Sequence, residues 1–402
     1  MAIIGVIAII AVAILFSENR KAINYRTVGV AFGLQAVFAA LVLYVPAGQS
    51  ALASFSAGVQ SVINYSNDGI VFLFGDLGRQ KLGFIFAFNV LPVLIFFSAL
   101  MSVLYYLGIM QKVVNVIGGG IKKLMGTGHT ESLSATANIF VSQTEAPLLV
   151  RPFIKGATSS ELFAVMVGGM ASIAGSLLVG YSNMGVELKY LIASSFMAAP
   201  GGLLMAKLIK PETEKTIVDI EHVASEETYK TANVIDAAAS GATNGMKLAV
   251  NIGAMLIAFI ALIALINGMF SGVSEWFGLP EITLQKILGY IFAPVAFLLG
   301  IPWSETINVG SLIGQKIILN EFVAYVDFVA MKESLSPHAQ VVATFALCGF
   351  ANLSSIAILL GGLGSIAPTR RPEIARLGLK AVFAATLANL MSAALASIFV
   401  SV

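Results

Sequence analysis

Long apolar stretches alternate with short polar interruptions along this chain. Runs near 2–16, 28–46, 84–108, 161–181, 189–209, 247–268, 338–364 and 379–400 are apolar over most of their length. Crossing a hydrocarbon layer of roughly 30 Å takes about 20 helical residues, so the pattern predicts eight membrane-spanning helices. Between the second and third runs, Ser50 to Ser66 mixes apolar with small polar residues, as expected of a helix lying in the membrane interface. Lys210 to Asp236 is the long hydrophilic stretch, with Glu212, Glu214, Lys215, Asp219, Glu221, Glu226 and Glu227. It reads as a solvated connector between two halves.

Two further apolar segments fit no complete span. Thr130 to Lys155 carries Ser142, Gln143, Thr144 and Glu145, then Pro147, in its middle; the stretch from about Trp303 to Phe328 carries Asn320 and Glu321. Folded back at those residues, each arm has about 12 residues and reaches roughly 18 Å, which puts the tips near the membrane midplane. Gly168, Gly169, Ser172, Gly175 and Ser176 interrupt the span after the first segment. Gly349, Asn352, Ser354 and Ser355 interrupt the span after the second. The expected fold is an all-α polytopic membrane protein of eight transmembrane helices plus two opposed re-entrant hairpins, an inverted repeat with broken helices, which places a binding site at the midplane. The corresponding division is 1–110 as scaffold with the interfacial helix, 111–210 as the first transport repeat, 211–243 as the connector, and 244–402 as the sixth span with the second repeat.

Composition agrees with a lipid environment. The 402 residues are 58% hydrophobic and 11% charged, against roughly 25% charged in a soluble domain, and mean hydropathy is +0.91. A net charge of +2 with no basic stripe gives no support for nucleic acid as a partner. Cys348 is the lone cysteine, so no intrachain disulfide forms, and a small packed hydrophobe is its ordinary role. Ala2 to Phe16 lacks a basic leader and a small-residue cleavage pattern, so it is expected to be a retained span.

Positive loops stay cytoplasmic. With the N-terminus outside, one face receives 17 lysines and arginines, among them Arg20, Lys112, Lys210, Lys247 and Arg370. The other receives 6: Arg79, Lys81, Lys189, Lys286, Lys316 and Lys332. Both termini are therefore expected outside the cytoplasmic membrane, with the first hairpin entering from the cytoplasm and the second from outside.

Glu145 and Glu321 sit in otherwise apolar segments, where a buried carboxylate costs roughly 2.5 kcal/mol or more, so each requires a compensating partner or a ligand. Asn138, Gln143, Thr144, Asn320, Asn352 and Ser355 are either interhelical hydrogen-bond partners or ligands gathered at helix breaks, where orphan N–H and C=O groups need satisfaction. Gly168, Gly169, Gly361, Gly362 and Gly364 are equally open to a packing role, and Gly118, Gly119 and Gly120 interrupt a basic surface segment. No phosphate-binding loop, HExxH or dinucleotide fingerprint occurs, and His129, His222 and His338 have no metal partner at useful spacing. ATP-driven transport and zinc hydrolysis are thus unsupported.

The string Asn138-Ile-Phe-Val-Ser-Gln-Thr-Glu-Ala-Pro147, with Ala171-Ser-Ile-Ala-Gly-Ser176, Asn320-Glu-Phe322 and Gly349-Phe-Ala-Asn-Leu-Ser-Ser355, closely resembles the concentrative nucleoside transporter family in its eight-span bacterial form. The likeness covers essentially the whole chain. It implies that Gln143, Thr144 and Glu145 face the nucleobase, with an apolar contact from Leu177. Glu321, Asn352 and Ser355 would hold the ribose hydroxyls, with Phe350 alongside. A carboxylate accepts from a vicinal diol, and an amide both donates and accepts. The resemblance further implies a sodium site of the Asn138 and Ser172 side chains with the Val141 and Ile173 carbonyls, an oxygen set suited to a hard cation, and a homotrimer. Ser142, Ser176 and Leu177 resemble the pyrimidine-preferring pattern, which points to uridine.

The expected activity is one-to-one sodium–nucleoside symport by alternating access, with sodium co-transported. The alternative is a proton-coupled nucleoside permease in which Glu145 or Glu321 carries the proton. A membrane enzyme acting on nucleosides or lipid head groups lacks a base, nucleophile or metal cluster here. A passive channel fits poorly with two opposed gates.

Overall fold

The computed structural model describes residues 1–81, 83–154, 156–214, 231–278, 280 and 282–400. Its α-helices are α1 (Ala2–Leu15), α2 (Tyr25–Leu43), α3 (Pro46–Asn64), α4 (Ser66–Phe74), α5 (Phe86–Asn89), α6 (Leu91–Tyr106), α7 (Ile109–Met125), α8 (His129–Ala137), α9 (Ala146–Leu149) and α10 (Arg151–Ile154). There follow α11 (Ser159–Ala171), α12 (Gly175–Asn183), α13 (Leu188–Ile209), α14 (Val234–Trp276), α15 (Leu284–Leu298), α16 (Thr306–Ile318), α17 (Glu321–Met331), α18 (Pro337–Leu347), α19 (Ser354–Ile366) and α20 (Arg371–Phe399). Every predicted span falls on a helix or on a broken pair, and the predicted interfacial segment lies on α3. The fold is all-helical among the described residues.

Local sequence sets the helix starts. Asn24 accepts from the Arg26 and Thr27 amides at the head of α2. Thr158 and Glu161 cap α11 reciprocally, each side chain bonding the other's main-chain N–H at 3.0 Å, which satisfies donors that a helix leaves free. Ser336 caps the N–H of Ala339 just before Pro337 opens α18.

The helices sort into an inner and an outer group by burial. The most apolar stretches of α11–α12 and of α13 are 94% buried, whereas those of α2, α5–α6 and α14 are 28%, 22% and 22% buried. Helices apolar all round belong inside; the outer ones instead show Ile257, Leu262, Leu265 and Met269 to the surroundings, as lipid requires. Helix α14 has 43 residues, about 65 Å at 1.5 Å per residue, so it extends well beyond any bilayer. It packs on α6 through Gly241 and Gly245, where an added Cβ would meet the main chain of Ser98, Ala99 and Ile95. Such small-residue spacing lets two backbones approach.

Several expectations change. The connector predicted over 211–243 is helical from Val234; Lys215, Asp219, Glu221, His222, Glu226, Glu227 and Lys230 lie outside the described residues, as does Lys155. Helix α15, of 15 residues, is absent from the predicted spans. Gly118, Gly119 and Gly120 do not interrupt α7, and Gly118 fits closely against Leu133 and Thr136 of α8. Gly168 and Gly169 lie within α11, whose break begins at Ser172. Lys316, counted among the cations of the outer face, is 1% exposed within α16. Buried charge of this kind looks like a loop charge to hydropathy alone.

Candidate functional site

Two helix pairs end in short non-helical tips. In the first, α8 stops at Ala137 and the chain turns through 138–145 before α9, where Pro147 cannot donate a helical N–H. In the second, α16 stops at Ile318, and Asn320 starts α17 by accepting from the Val323 amide at 2.9 Å. Each pair is followed by a broken span, α11/α12 and α18/α19. The same link recurs in both halves: Gly175 N–H donates to the Phe140 carbonyl at 3.1 Å, and Leu353 N–H donates to the Ile317 carbonyl at 3.3 Å. The halves also meet each other, because Phe350 N–H donates to the Ser172 carbonyl at 3.2 Å.

At the first tip, Glu145 Oε2 accepts from the Ser142 N–H and Ser142 Oγ, both at 3.0 Å. Ser142 Oγ also lies 3.0 Å from Thr144 Oγ1. Glu145 is exposed, so the burial cost expected of it does not arise; the tip folds the carboxylate onto its own backbone and leaves it facing open space. Gln143 is buried, and its Nε2 donates to Ser355 Oγ at 3.4 Å, across 212 residues of sequence. Its Oε1 has no partner. An added Cβ at Gly169 or Gly362 would press on Gln143 or Thr144 respectively, so these two glycines give the tip its room.

Glu321 is buried and fully engaged. Tyr181 Oη donates to its Oε1 at 3.1 Å, and Asn352 Nδ2 to its Oε2 at 3.0 Å. Asn352 Oδ1 accepts from Ser354 Oγ, the Ser355 N–H and Ser355 Oγ. Ser355 Oγ also donates to the Phe350 carbonyl. A carboxylate, an amide and a hydroxyl thus form one connected set, the compensation that burial of a charge demands.

The candidate cation ligands sit just after the end of α8 and at the break that ends α11. Asn138 is fully buried; its Nδ2 donates to the Ser134 carbonyl at 2.8 Å, while its Oδ1 has no partner. Ser172 Oγ donates to the Gly168 carbonyl at 2.9 Å. No backbone N–H among the described residues donates to the carbonyl of Val141 or Ile173. Uncompensated oxygens at the negative ends of helices are the kind of ligand a hard cation takes.

A cavity of about 750 Å³ reaches this region, with Val141, Thr144, Glu145, Leu177 and Phe350 in its wall. Gln143, Glu321, Asn352 and Ser355 are buried and do not line it. Of the proposed substrate residues, one half therefore lines the cavity and the other does not. The two described histidines have other partners: His129 packs edge-on against Phe153, and His338 bonds Ser397. No group of three or more His, Cys, Asp or Glu side chains placed to hold a metal ion occurs among the described residues. Cys348 is a free, buried thiol.

The sequence reading missed three polar side chains. Tyr181 holds Glu321. Asn389 donates from Nδ2 to the carbonyls of Ala171 and Cys348, at 2.6 and 3.0 Å, so it ties both breaks to α20. Lys316 donates to Asn389 Oδ1 at 2.6 Å and to the Ala346 carbonyl at 3.0 Å. A lone lysine or asparagine in an apolar run was the available signal.

An all-helical membrane fold with polar helix breaks beside a cavity suits a transport protein. Two models named for the Na+ dependent nucleoside transporter match this chain, the N-terminal one over residues 4–77 and the C-terminal one over 190–397; a nucleoside-recognition Gate model matches 87–187. The chain is 49% identical over 409 residues to the nucleoside permease NupC of Helicobacter pylori, covering 99% of this chain and 97% of that protein. It also resembles the solved structure of CNTnw in an inward-facing substrate-bound state, at 55% identity and a TM-score of 0.95. That match covers 99% of this chain and 97% of the other. A doubly substituted CNTnw in an outward-facing state matches at 55% identity and a TM-score of 0.97, with the same coverage. The chain belongs to the Na+ dependent nucleoside transporter family; it is an integral membrane transporter and not an enzyme, and sodium is the ion the family co-transports.

Proposed function

We propose that this protein carries nucleosides into the cell with sodium, one ion per nucleoside, and that pyrimidine nucleosides such as uridine are its preferred cargo. The observation that carries the reading is a concentration of unfilled hydrogen-bonding capacity at the two tips: Asn138 Oδ1, Gln143 Oε1 and Asn320 Nδ2 are buried without partners. Groups of that kind cost free energy unless something fills them. In this reading sodium takes Asn138, Ser172 and the carbonyls of Val141 and Ile173. The nucleobase takes Gln143, Thr144 and Glu145 beside Leu177. The ribose takes Glu321, Asn352 and Ser355 beside Phe350, its hydroxyls replacing bonds that these side chains now make to one another. The small Ser142 and Ser176 with Leu177 favour the pyrimidine.

Residues 1–110 form the scaffold, 111–210 and the part of 244–402 that follows the sixth span form the two moving repeats, and 211–243 connects them. The contrast in burial between α2 and α11–α13 supports that division. The two tips are those of re-entrant hairpins within an eight-span, inverted-repeat protein of the inner membrane, with both termini outside and a homotrimeric assembly. Lys247 and Gln111 in the cavity wall belong to the lysine-rich, cytoplasmic side, so the cavity is the inward path. One charge crossing 100 mV supplies about 2.3 kcal/mol and a tenfold sodium gradient about 1.4 kcal/mol. Together they sustain roughly a five-hundredfold accumulation.

Uptake of labelled uridine into proteoliposomes tests the reading. Wild-type uptake is expected to require a sodium gradient, Glu145→Gln to impair uridine binding, and Asn138→Ala to weaken sodium dependence. Uptake that persists without sodium and collapses with a protonophore selects the proton-coupled alternative instead.

A further inference from the structure

The two repeats treat the same position differently. The matching links from Gly175 to Phe140 and from Leu353 to Ile317 relate the halves by a shift of 177 or 178 residues. That shift sets Asn138 opposite Gln315 and Lys316, and Gly168 opposite Ala346 when 178 is used. In the first half, the end of α8 presents Asn138 Oδ1 buried without a partner. In the second half, the end of α16 and the end of α18 come together, and a buried ammonium fills the space. Lys316 Nζ donates to the Ala346 carbonyl in the last turn of α18 and to Asn389 Oδ1. Asn389 passes the contact on to the carbonyls of Cys348 and Ala171 at the two breaks.

We propose that Lys316 is a tethered counterpart of the transported sodium, supplying the second repeat with the cation that the first repeat must bind from solution. The negative ends of two helices and a buried carboxylate on the adjoining α17, Glu321, need positive charge in a lipid-surrounded interior. The Lys316 amine is covalently attached, so it reaches those oxygens without being bound from solution. A transported ion meets that need only when bound. The carrier therefore takes up one sodium per nucleoside, because its second cation position is already filled. Lys316 acts as a positioning residue, holding the end of α18 to Asn389 within α20 and so the Asn352–Ser355 segment.

The inference rests on the sodium site proposed above, and the test separates the two. In proteoliposomes, the wild-type ratio of sodium to uridine flux, read from the reversal potential, is expected to be one. A ratio of two overturns the inference without any variant. In Lys316→Gln, half-saturating sodium is expected to rise about tenfold or more, with the Hill coefficient for sodium moving from about one toward two. Lys316→Arg, which keeps the charge, retains a coefficient of about one. A Lys316→Gln protein with wild-type sodium dependence and an unchanged coefficient, alongside Asn138→Ala with weakened dependence, overturns the Lys316 inference alone. Asn138→Ala with wild-type sodium dependence overturns the sodium site and the inference with it. If Lys316→Gln does not fold, the wild-type flux ratio decides.

Discussion

Replacing Asn138 with leucine, a side chain of similar size and no polarity, separates two roles of one amide. In the sodium-free protein Asn138 Oδ1 is buried without a partner, a situation that costs about 1–3 kcal/mol. The same side chain gains about 0.5–1.5 kcal/mol from the bond of its Nδ2 to the Ser134 carbonyl. Leucine removes both, so without sodium Asn138→Leu is expected to be as stable as wild type or up to about 2 kcal/mol more stable. With sodium the order reverses. Wild type at a sodium concentration one hundred times its dissociation constant gains about 2.7 kcal/mol. The variant loses one of the four oxygen ligands proposed for sodium, worth about 1–3 kcal/mol, or roughly a tenfold to hundredfold weaker site. Thermal unfolding of purified protein, titrated with sodium chloride against choline chloride at constant ionic strength, reads both effects. A sodium-induced rise in melting temperature of equal size in wild type and variant refutes the assignment of Asn138. So does a variant that is several kcal/mol less stable than wild type in choline.

Three further outcomes follow from the contacts. Tyr181→Phe removes the hydroxyl that donates to Glu321 at 3.1 Å while keeping the ring stacked on Tyr325. A hydrogen bond to a charged group is worth about 1.5–3 kcal/mol, so uridine affinity by calorimetry is expected to change by tenfold or more with the fold intact. Lys207→Met breaks the buried pair with Glu131, 2.7 Å apart, and is expected to destabilise the protein by about 3–5 kcal/mol in denaturation monitored by tryptophan fluorescence; Glu131→Leu added to it recovers most of that loss. Partial burial raises the Glu18 pKa, but the Lys210 and Lys380 ammoniums, 2.7 and 2.8 Å away, outweigh it and hold the carboxyl below its ordinary value of 4.5. Its stabilisation is then complete above 4.5 and is lost as pH falls through the lower folded value. Glu18→Gln should therefore flatten the acid limb of a melting-temperature profile below about pH 5, and an unchanged limb removes Glu18 from the account.

How much of this was legible in sequence depended on whether a feature was local. The capped start of α11 and the positions of the spans rest on neighbours in the chain, and hydropathy or spacing revealed them. The tips at Gln143 and Asn320 were also visible, since polar residues beside a proline or a helix break interrupt an apolar run wherever the run packs. Glu145 was assigned a burial cost because its segment is apolar. Only folding turns that tip so that its carboxylate meets Ser142 and an open cavity.

The sequence by itself determined that the chain lives in lipid, that it is helical, and that two halves carry broken helices with oxygen-rich tips, because each of these follows from periodicity and polarity along a stretch of backbone. The family motifs added nucleoside and sodium. Tertiary structure decided which polar groups meet. Gln143 finds Ser355, Tyr181 finds Glu321, and Asn389 joins Ala171 to Cys348, each across more than 40 residues. It also moved Lys316 from the supposed outer face to a sealed interior, where hydropathy reads only a charge and the packed helix ends supply the reason for it. Such pairings are set by the way whole helices dock, and no local pattern encodes them.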